Sequence, residues 1–338
     1  MNLNDSKYNR FHLVKEMMET PGVISGFDTA AVLPFAKAVK GKGGIFLTGE
    51  GSSRIFPAKR AMYARMIRGC RFPVMTEGST QAIEYDLSDY AVFGASNSGK
   101  TKEIMRLMVS LREKGHDALL GLTANAGTPL CDVTRRTHVL TCGKENAVAA
   151  TKSVVEQALF YDALQHTLWG EPMASLSALA DGFDKALKLE IDQKITDKLA
   201  AAPVIWFAGK NNGVAEELAL KTNEITRKRS DFLEGTYAAH GIEEVMNPDE
   251  VLIWVDPFEE EEEKFHEILV RGVGMTVIAI APRVTRFPTV LIPGGLPSSP
   301  YIQLAAGWNL LVETGIALGV DLDHPKRARK VGNEYIPG

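Results

Sequence analysis

The stretch Ala91-Val92-Phe93-Gly94-Ala95-Ser96-Asn97-Ser98-Gly99-Lys100-Thr101 passes from a short apolar run into a cluster of hydroxyl and amide side chains. Directly after it, Lys102 to Arg112 has a helical period. Strand, polar turn, helix is the unit of a parallel βαβ fold, and the same unit recurs on both sides. Upstream, Ile45-Phe46-Leu47 ends in Gly-Glu-Gly-Ser-Ser (49–53) and leads into an amphipathic stretch through Met66. Downstream, Ala118 to Leu122 and Val139-Leu140 are two further strand candidates. Short apolar runs alternating with helical periods predict an α/β layered fold with parallel strands.

The second half repeats the pattern. Val204-Ile205-Trp206-Phe207 ends in Ala-Gly-Lys-Asn-Asn-Gly (208–213), and Val251 to Val255 ends in Asp256-Pro257. Met275 to Ile280 and Val290 to Ile292 follow. Gly49 and Gly209 are 160 residues apart, as are Asp89 and Asp249. We expect two similar α/β domains, although the same alternation also fits one long doubly wound sheet. Residues 7 to 39 have a helical pattern, with a break expected at Thr20-Pro21-Gly22. The carboxylate run Glu259 to Glu263 follows Pro257 at an expected helix start and is expected to stay solvated.

Composition sets the outer limits. The chain has 338 residues, 45% of them apolar and 24% charged, with a net charge of -4. That length supports a sizeable core, and the interspersed charges offer no basic field to hold nucleic acid. Cys70, Cys131 and Cys142 form no CxxC pair, so neither a disulfide frame nor a zinc site is expected. No apolar run approaches the roughly 18–20 residues of a membrane span, and Met1 to Arg10 lacks the apolar centre of a signal peptide. A cytoplasmic location with no membrane partner is the expectation.

Ser96 to Thr101 falls where ligands collect in open α/β sheets, at the carboxyl end of a strand and the start of a helix. A helix start offers unpaired N–H groups and partial positive charge. Ser96, Ser98 and Thr101 add hydroxyls, and Gly99 allows close backbone approach. That composition suits a phosphate monoester without a metal. The plainer alternative is that these residues merely cap the helix. The letters of Gly94 to Thr101 fit G-x-x-x-x-G-K-[ST], the pattern of a nucleotide-binding loop, but Gly94 stands inside the apolar run and not in the polar turn, so a phosphate monoester and not a nucleoside triphosphate is the expectation. The turn Gly51-Ser52-Ser53 could face the same ligand, whereas the second half has no serine cluster at its matching turns.

Gly213 to Lys228 has an apolar stripe at Val214, Leu218 and Ile225, and Lys221 stands on that stripe. An ammonium on a packing seam must be paired, and Glu217 and Glu224 are one turn away on either side. Either the helix is a charge-laced surface element, or Glu224 is a general base held by Lys221. His240-Gly241 follows 16 residues after Glu224.

Taken together, these segments resemble the sugar isomerase (SIS) domain family, especially the isomerase half of glutamine–fructose-6-phosphate aminotransferases. Two further segments carry the likeness: Glu-Asn-Ala-Val-Ala-Ala-Thr-Lys (145–152) and Asp-Leu-Asp-His-Pro-Lys (321–326), which leads to Lys330. The resemblance covers about residues 15 to 332. It implies two tandem SIS-type domains, each a three-layer α/β/α sandwich on a parallel sheet. The expected partition is a helical segment at 1–40, a phosphate-binding domain at 41–175 and a helical linker at 176–199. A second domain at 200–320 and a tail at 321–338 closing the active site complete it.

The resemblance also implies roles. Ser53, Ser96, Asn97, Ser98 and Thr101, with Gly51 and Ser52, would hold the 6-phosphate of a sugar, and Val148 would line the sugar. Glu224, with Lys221, would move a proton between C1 and C2. His240, lent by the other subunit of a homodimer with shared sites, would help open the ring, and Lys330 matches a Schiff-base lysine. No cofactor or metal is required for such a reaction. Lys100 stands where the family commonly has glutamate, and His-Gly-Ile replaces the aminotransferase His-Gly-Pro. The sequence has no glutaminase domain, so isomerisation, or deamination or deglycation of an amino-sugar phosphate, is favoured over glucosamine 6-phosphate synthesis. A non-catalytic phosphosugar sensor is the alternative.

Overall fold

The computed structural model describes residues 1–295, 299–329 and 334–335. Two compact units emerge from the contacts. The first holds Val23–Glu145, Ala150–Met173 and the described residues from Arg329 onward; the second holds Met1–Gly22, Asn146–Ala149 and Ala174–Ala328.

The first unit is built on β1 (Gly44–Gly49), β2 (Val74–Gly78), β3 (Tyr90–Ala95), β4 (Leu119–Thr123) and β5 (Arg136–Val139). They form one parallel sheet in the order β2-β1-β3-β4-β5. The second unit contains β6 (Val204–Gly209), β7 (Arg229–Glu234), β8 (Val251–Val255), β9 (Thr276–Ala281) and β10 (Thr289–Leu291). Its sheet is also parallel and runs β10-β9-β8-β6-β7, the same order counted from its own first strand. Two separate sheets with one topology replace the single-sheet alternative. Every residue of β1, β4, β6 and β8 is buried, as parallel strands must be when helices cover both faces.

Three local expectations are corrected. β2 and β7 escaped the sequence reading because both are edge strands with largely exposed or half-buried residues, and so carry no apolar run. The break at Thr20-Pro21-Gly22 does not occur. The helix His12–Ser25 runs through Pro21, with Leu13, Val14, Met17 and Ile24 fully buried along it. Proline costs a helix about 3 kcal/mol, and burial of those four side chains at about 1.5–3 kcal/mol each outweighs that. Glu262 is not solvated like its neighbours. It is buried, 2.5 Å from the Arg283 guanidinium, and accepts the Arg286 N–H at 2.9 Å.

Close packing fixes the helix that carries Lys221 and Glu224. The second unit's core stacks Trp254 on Phe265 at 3.7 Å. In the same unit the helix Ser299–Ala317 is buried on nearly every side. A Cβ at Gly307 would lie 2.4 Å from the Leu218 side chain, so only glycine lets this helix approach Val214–Ile225 so closely.

Candidate functional site

The chain leaves β1, crosses to the edge as β2 and returns to β3 on the opposite side of β1, so the switch point of the first sheet lies between β1 and β3. Both serine turns leave from it. Gly49 and Ala95 are paired across the two strand ends, and a Cβ on Gly49 would sit 3.0 Å from the Ser53 carbonyl oxygen and 3.1 Å from that of Ala95. The two turns therefore adjoin.

Within Ser96–Thr101 the hydroxyls organise one another. Ser96 Oγ is 2.8 Å from Thr101 Oγ1 and 3.4 Å from Ser98 Oγ, and Ser98 Oγ accepts the Lys100 N–H at 3.2 Å. Thr101 occupies the N-cap position of the helix Lys102–Glu113, yet its side chain makes no capping hydrogen bond. Thr101 thus leaves this helix start without a side-chain cap, where the partial positive charge of a helix N-terminus favours an anion. Gly99, at φ +65°, could not be replaced without strain, because a Cβ there would meet Thr128 Oγ1 at 2.1 Å. Gly51 and the two serines after it form a single 3₁₀ turn, with the serine side chains half-exposed.

Sequence reading missed the scaffold behind this loop. The helix Lys152–Trp169 is buried from Lys152 to Gln165, so each polar group on it must find a partner. Asn97 donates to Ser153 Oγ at 2.7 Å and accepts from Gln157 Nε2 at 2.7 Å. Ser153 in turn donates to Glu145 at 2.6 Å, and Glu145 also accepts the Thr151 N–H at 2.7 Å. Glu156 accepts the N–H groups of Thr141 and Cys142 at 2.8 and 2.7 Å; burial works against its charge, but these bonds and His138 hold its carboxyl below the usual range. The detectable signal was polar residues every three or four positions in an otherwise apolar helix. The chain end meets the loop at Lys100: Tyr335 donates its N–H to the Lys100 carbonyl at 2.8 Å, and Glu334 lies 3.7 Å from the ammonium.

The second unit holds the charged helix. Val214, Leu218, Lys221 and Ile225 are fully buried along one stripe. Lys221 Nζ lies 2.8 Å from Glu224 Oε2 and 3.3 Å from Glu217 Oε1. Burial alone would lower the lysine's pKa, but the two carboxylates outweigh it and the ammonium is held above its ordinary range. Glu217 is buried as well, whereas the Glu224 side chain keeps 20% of its surface exposed. Glu224 opens onto a cavity of ≈ 910 Å³, lined also by Asn223, Arg227, Asp321, His324 and Lys326. Arg227, at φ +62°, reaches across to the Asp321 carbonyl.

The remaining residues are placed as follows. Val148 is half-buried in the second unit and donates its N–H to the Asp323 carbonyl at 3.1 Å. His240 is exposed, and its Nε2 accepts from Lys264 Nζ at 2.9 Å. It does not line the Glu224 cavity. Lys330 lies outside the described residues. At the switch point of the second sheet, Lys210 after β6 pairs with Asp256 after β8, so charges of the protein itself fill the position that the serines hold in the first sheet. Among the described residues no single helix is long and apolar enough to cross a membrane.

Comparison with known proteins agrees with this architecture. The SIS domain family model matches residues 30–167. The isomerizing glutamine–fructose-6-phosphate aminotransferase of Aeropyrum pernix is 23% identical, aligning with 94% of this chain and 56% of its own length. The chain thus spans just over half of that relative. Among solved structures, the tagatose-6-phosphate ketose/aldose isomerase of Escherichia coli superposes with a TM-score of 0.76 at 17% identity. That match covers 96% of this chain and 98% of the other. The glucosamine-6-phosphate deaminase of Thermotoga maritima gives 0.71 at 18%, covering 94% and 98%. The SIS domain match thus lies on the first sheet, and the second sheet repeats the same strand order.

Proposed function

We propose that the chain is a phosphosugar isomerase-type enzyme acting on a hexose 6-phosphate by proton transfer between C1 and C2. The observation that carries the reading is the triad Glu217–Lys221–Glu224, of which only Glu224 opens onto a cavity. A carboxylate paired with a buried ammonium and still accessible is equipped to take a proton α to a carbonyl. Lys221 is fully buried, so it touches no substrate and acts by aiming Glu224. Ser53, Ser96, Ser98 and Thr101, with the uncapped helix start, bind the 6-phosphate, and Asn97 is the strut that holds their loop. Gly51 and Ser52 complete the second turn, and Val148 borders the sugar.

The aminotransferase, ketose/aldose isomerase and deaminase named above have names that share a 6-phosphosugar, which supports the substrate class. His240 is exposed and stands outside its own chain's Glu224 cavity, which supports its being lent to a second copy for ring opening. Lys330 is assigned to the ketose carbonyl by resemblance. The test is a turnover screen of ketose and aldose 6-phosphates, glucosamine 6-phosphate and fructosamine 6-phosphates, with ammonia detection. Turnover of at least one, without ammonia for an isomerase and with it for a deaminase or deglycase, supports the reading. Tight binding with no turnover anywhere in the panel replaces it with a sensor.

A further inference from the structure

A second cavity, of ≈ 780 Å³, lies in the first unit at the opposite end of the sheet from the serine turns. Ile45 and Val74, paired at the amino ends of β1 and β2, line it. At about 3.3 Å per residue, six-residue β1 separates it from the switch point by about 16 Å. Its volume is that of a small-molecule site.

Two features describe its occupant. The walls are apolar, from Leu33, Val39, Phe72, Leu168 and Trp169, and the rim carries Lys37, Lys40, Lys42, Arg65 and Arg71. Among the described residues no carboxylate lines it, in a protein whose net charge is -4. Lys42 also pairs with Asp117 outside, and Arg65 donates to the Phe72 carbonyl at 2.8 Å, so both are held in place. The second feature is Gln165, which is 4% exposed and lines the cavity. Its amide nitrogen donates to the Ala61 carbonyl at 2.9 Å, while Oε1 is buried with no hydrogen-bond partner among the described residues. A buried acceptor left unpaired beside a cavity calls for a donor from a ligand.

We infer that this cavity binds a small amphipathic anion: an apolar body with one N–H or O–H donor for Gln165 and an anionic head for the Lys40–Arg71 rim. The apolar body leaves water for the walls, and the head gains charge-assisted bonds at the mouth. The site is independent of the sugar-phosphate reading, since it shares no residue with it.

The probe is 8-anilinonaphthalene-1-sulfonate, which has an aromatic body, one N–H and a sulfonate, titrated into the full chain by fluorescence. We expect saturable one-to-one binding that hexose 6-phosphates do not displace. N-phenyl-1-naphthylamine, the same body without the sulfonate, should bind at least tenfold more weakly. The exposed-site double variant Lys40→Glu/Arg71→Glu should weaken the sulfonate probe at least tenfold, leave the uncharged one within twofold, and leave the monomer fold unchanged by circular dichroism. Equal affinity of variant and wild type for the sulfonate overturns the proposal. So does displacement by a hexose 6-phosphate, or a change of oligomeric mass in the double variant, which would make this face an interface between copies.

Discussion

Replacing Lys221 with methionine isolates the electrostatic centre of the Val214–Ile225 helix. Methionine keeps the length and apolar stem of lysine and removes only the ammonium. That ammonium stands 2.8 Å from Glu224 and 3.3 Å from Glu217. At an effective dielectric constant of about 20, the gross attractions are about 6 and about 5 kcal/mol. Much of this is offset by the cost of taking three charges out of water, so the net worth of the triad is far smaller. Removing the cation alone is different, because it leaves two carboxylates facing each other, one of them fully buried. We expect Lys221→Met to lose about 3–5 kcal/mol of unfolding free energy. Adding Glu217→Gln should return a large part of that loss, since the uncompensated buried charge is then gone. Urea unfolding followed by tryptophan fluorescence is the assay, and Trp206, Trp254 and Trp308 all report on the second unit. The pH dependence follows from the raised lysine pKa. The folded state binds this proton more tightly, so the contribution is complete below the ordinary lysine value of 10.5 and is lost as pH rises toward the folded value. Wild type should therefore lose stability in strong alkali more steeply than Lys221→Met. A single variant within 1 kcal/mol of wild type at pH 7, or a double variant no better than the single, would refute the reasoning.

Three further outcomes are expected. Ser98→Ala should weaken binding of a hexose 6-phosphate by about 1–3 kcal/mol in calorimetry and leave the unphosphorylated sugar unaffected; equal losses for both would place the phosphate elsewhere. Mixed His240→Ala and Glu224→Gln chains should regain part of the activity each lacks alone, and no recovery after verified subunit exchange would count against sharing. Cys131 should alkylate before Cys142 at pH 8 by mass spectrometry. Partial burial opposes ionisation of Cys131, but hydrogen bonding with Thr128 and Thr137 lowers its pKa, while burial and the Glu156 and Glu145 carboxylates push Cys142 well above the thiol range.

What the sequence made legible follows from where energy is concentrated. Central strands such as β1, β6 and β8 are buried on both faces and so must be written as apolar runs, and these were readable. β7, Arg-Ser-Asp-Phe-Leu-Glu, is held by one neighbour at the sheet edge, and its composition had no need to announce a strand. Lys221 stood out because an ammonium on an apolar seam violates the local pattern, and the structure pairs it on both sides. Ser153 and Gln157 were harder to assign, because their partner Asn97 is more than fifty residues away and only the fold joins them, and Glu145 is linked to that loop through Ser153. The Pro21 break failed for the converse reason: a local rule gave way to burial of the residues around it.

The central claim is that Glu224 is the base, and proton exchange tests it most directly. Wild-type protein incubated in deuterated water with an aldose 6-phosphate that it turns over in the substrate screen should exchange the C2 proton, followed by NMR. Glu224→Gln keeps the shape of the side chain but cannot accept the proton, and should slow that exchange by about 10²–10⁴-fold with affinity little changed. Full exchange by the Gln variant would contradict the account.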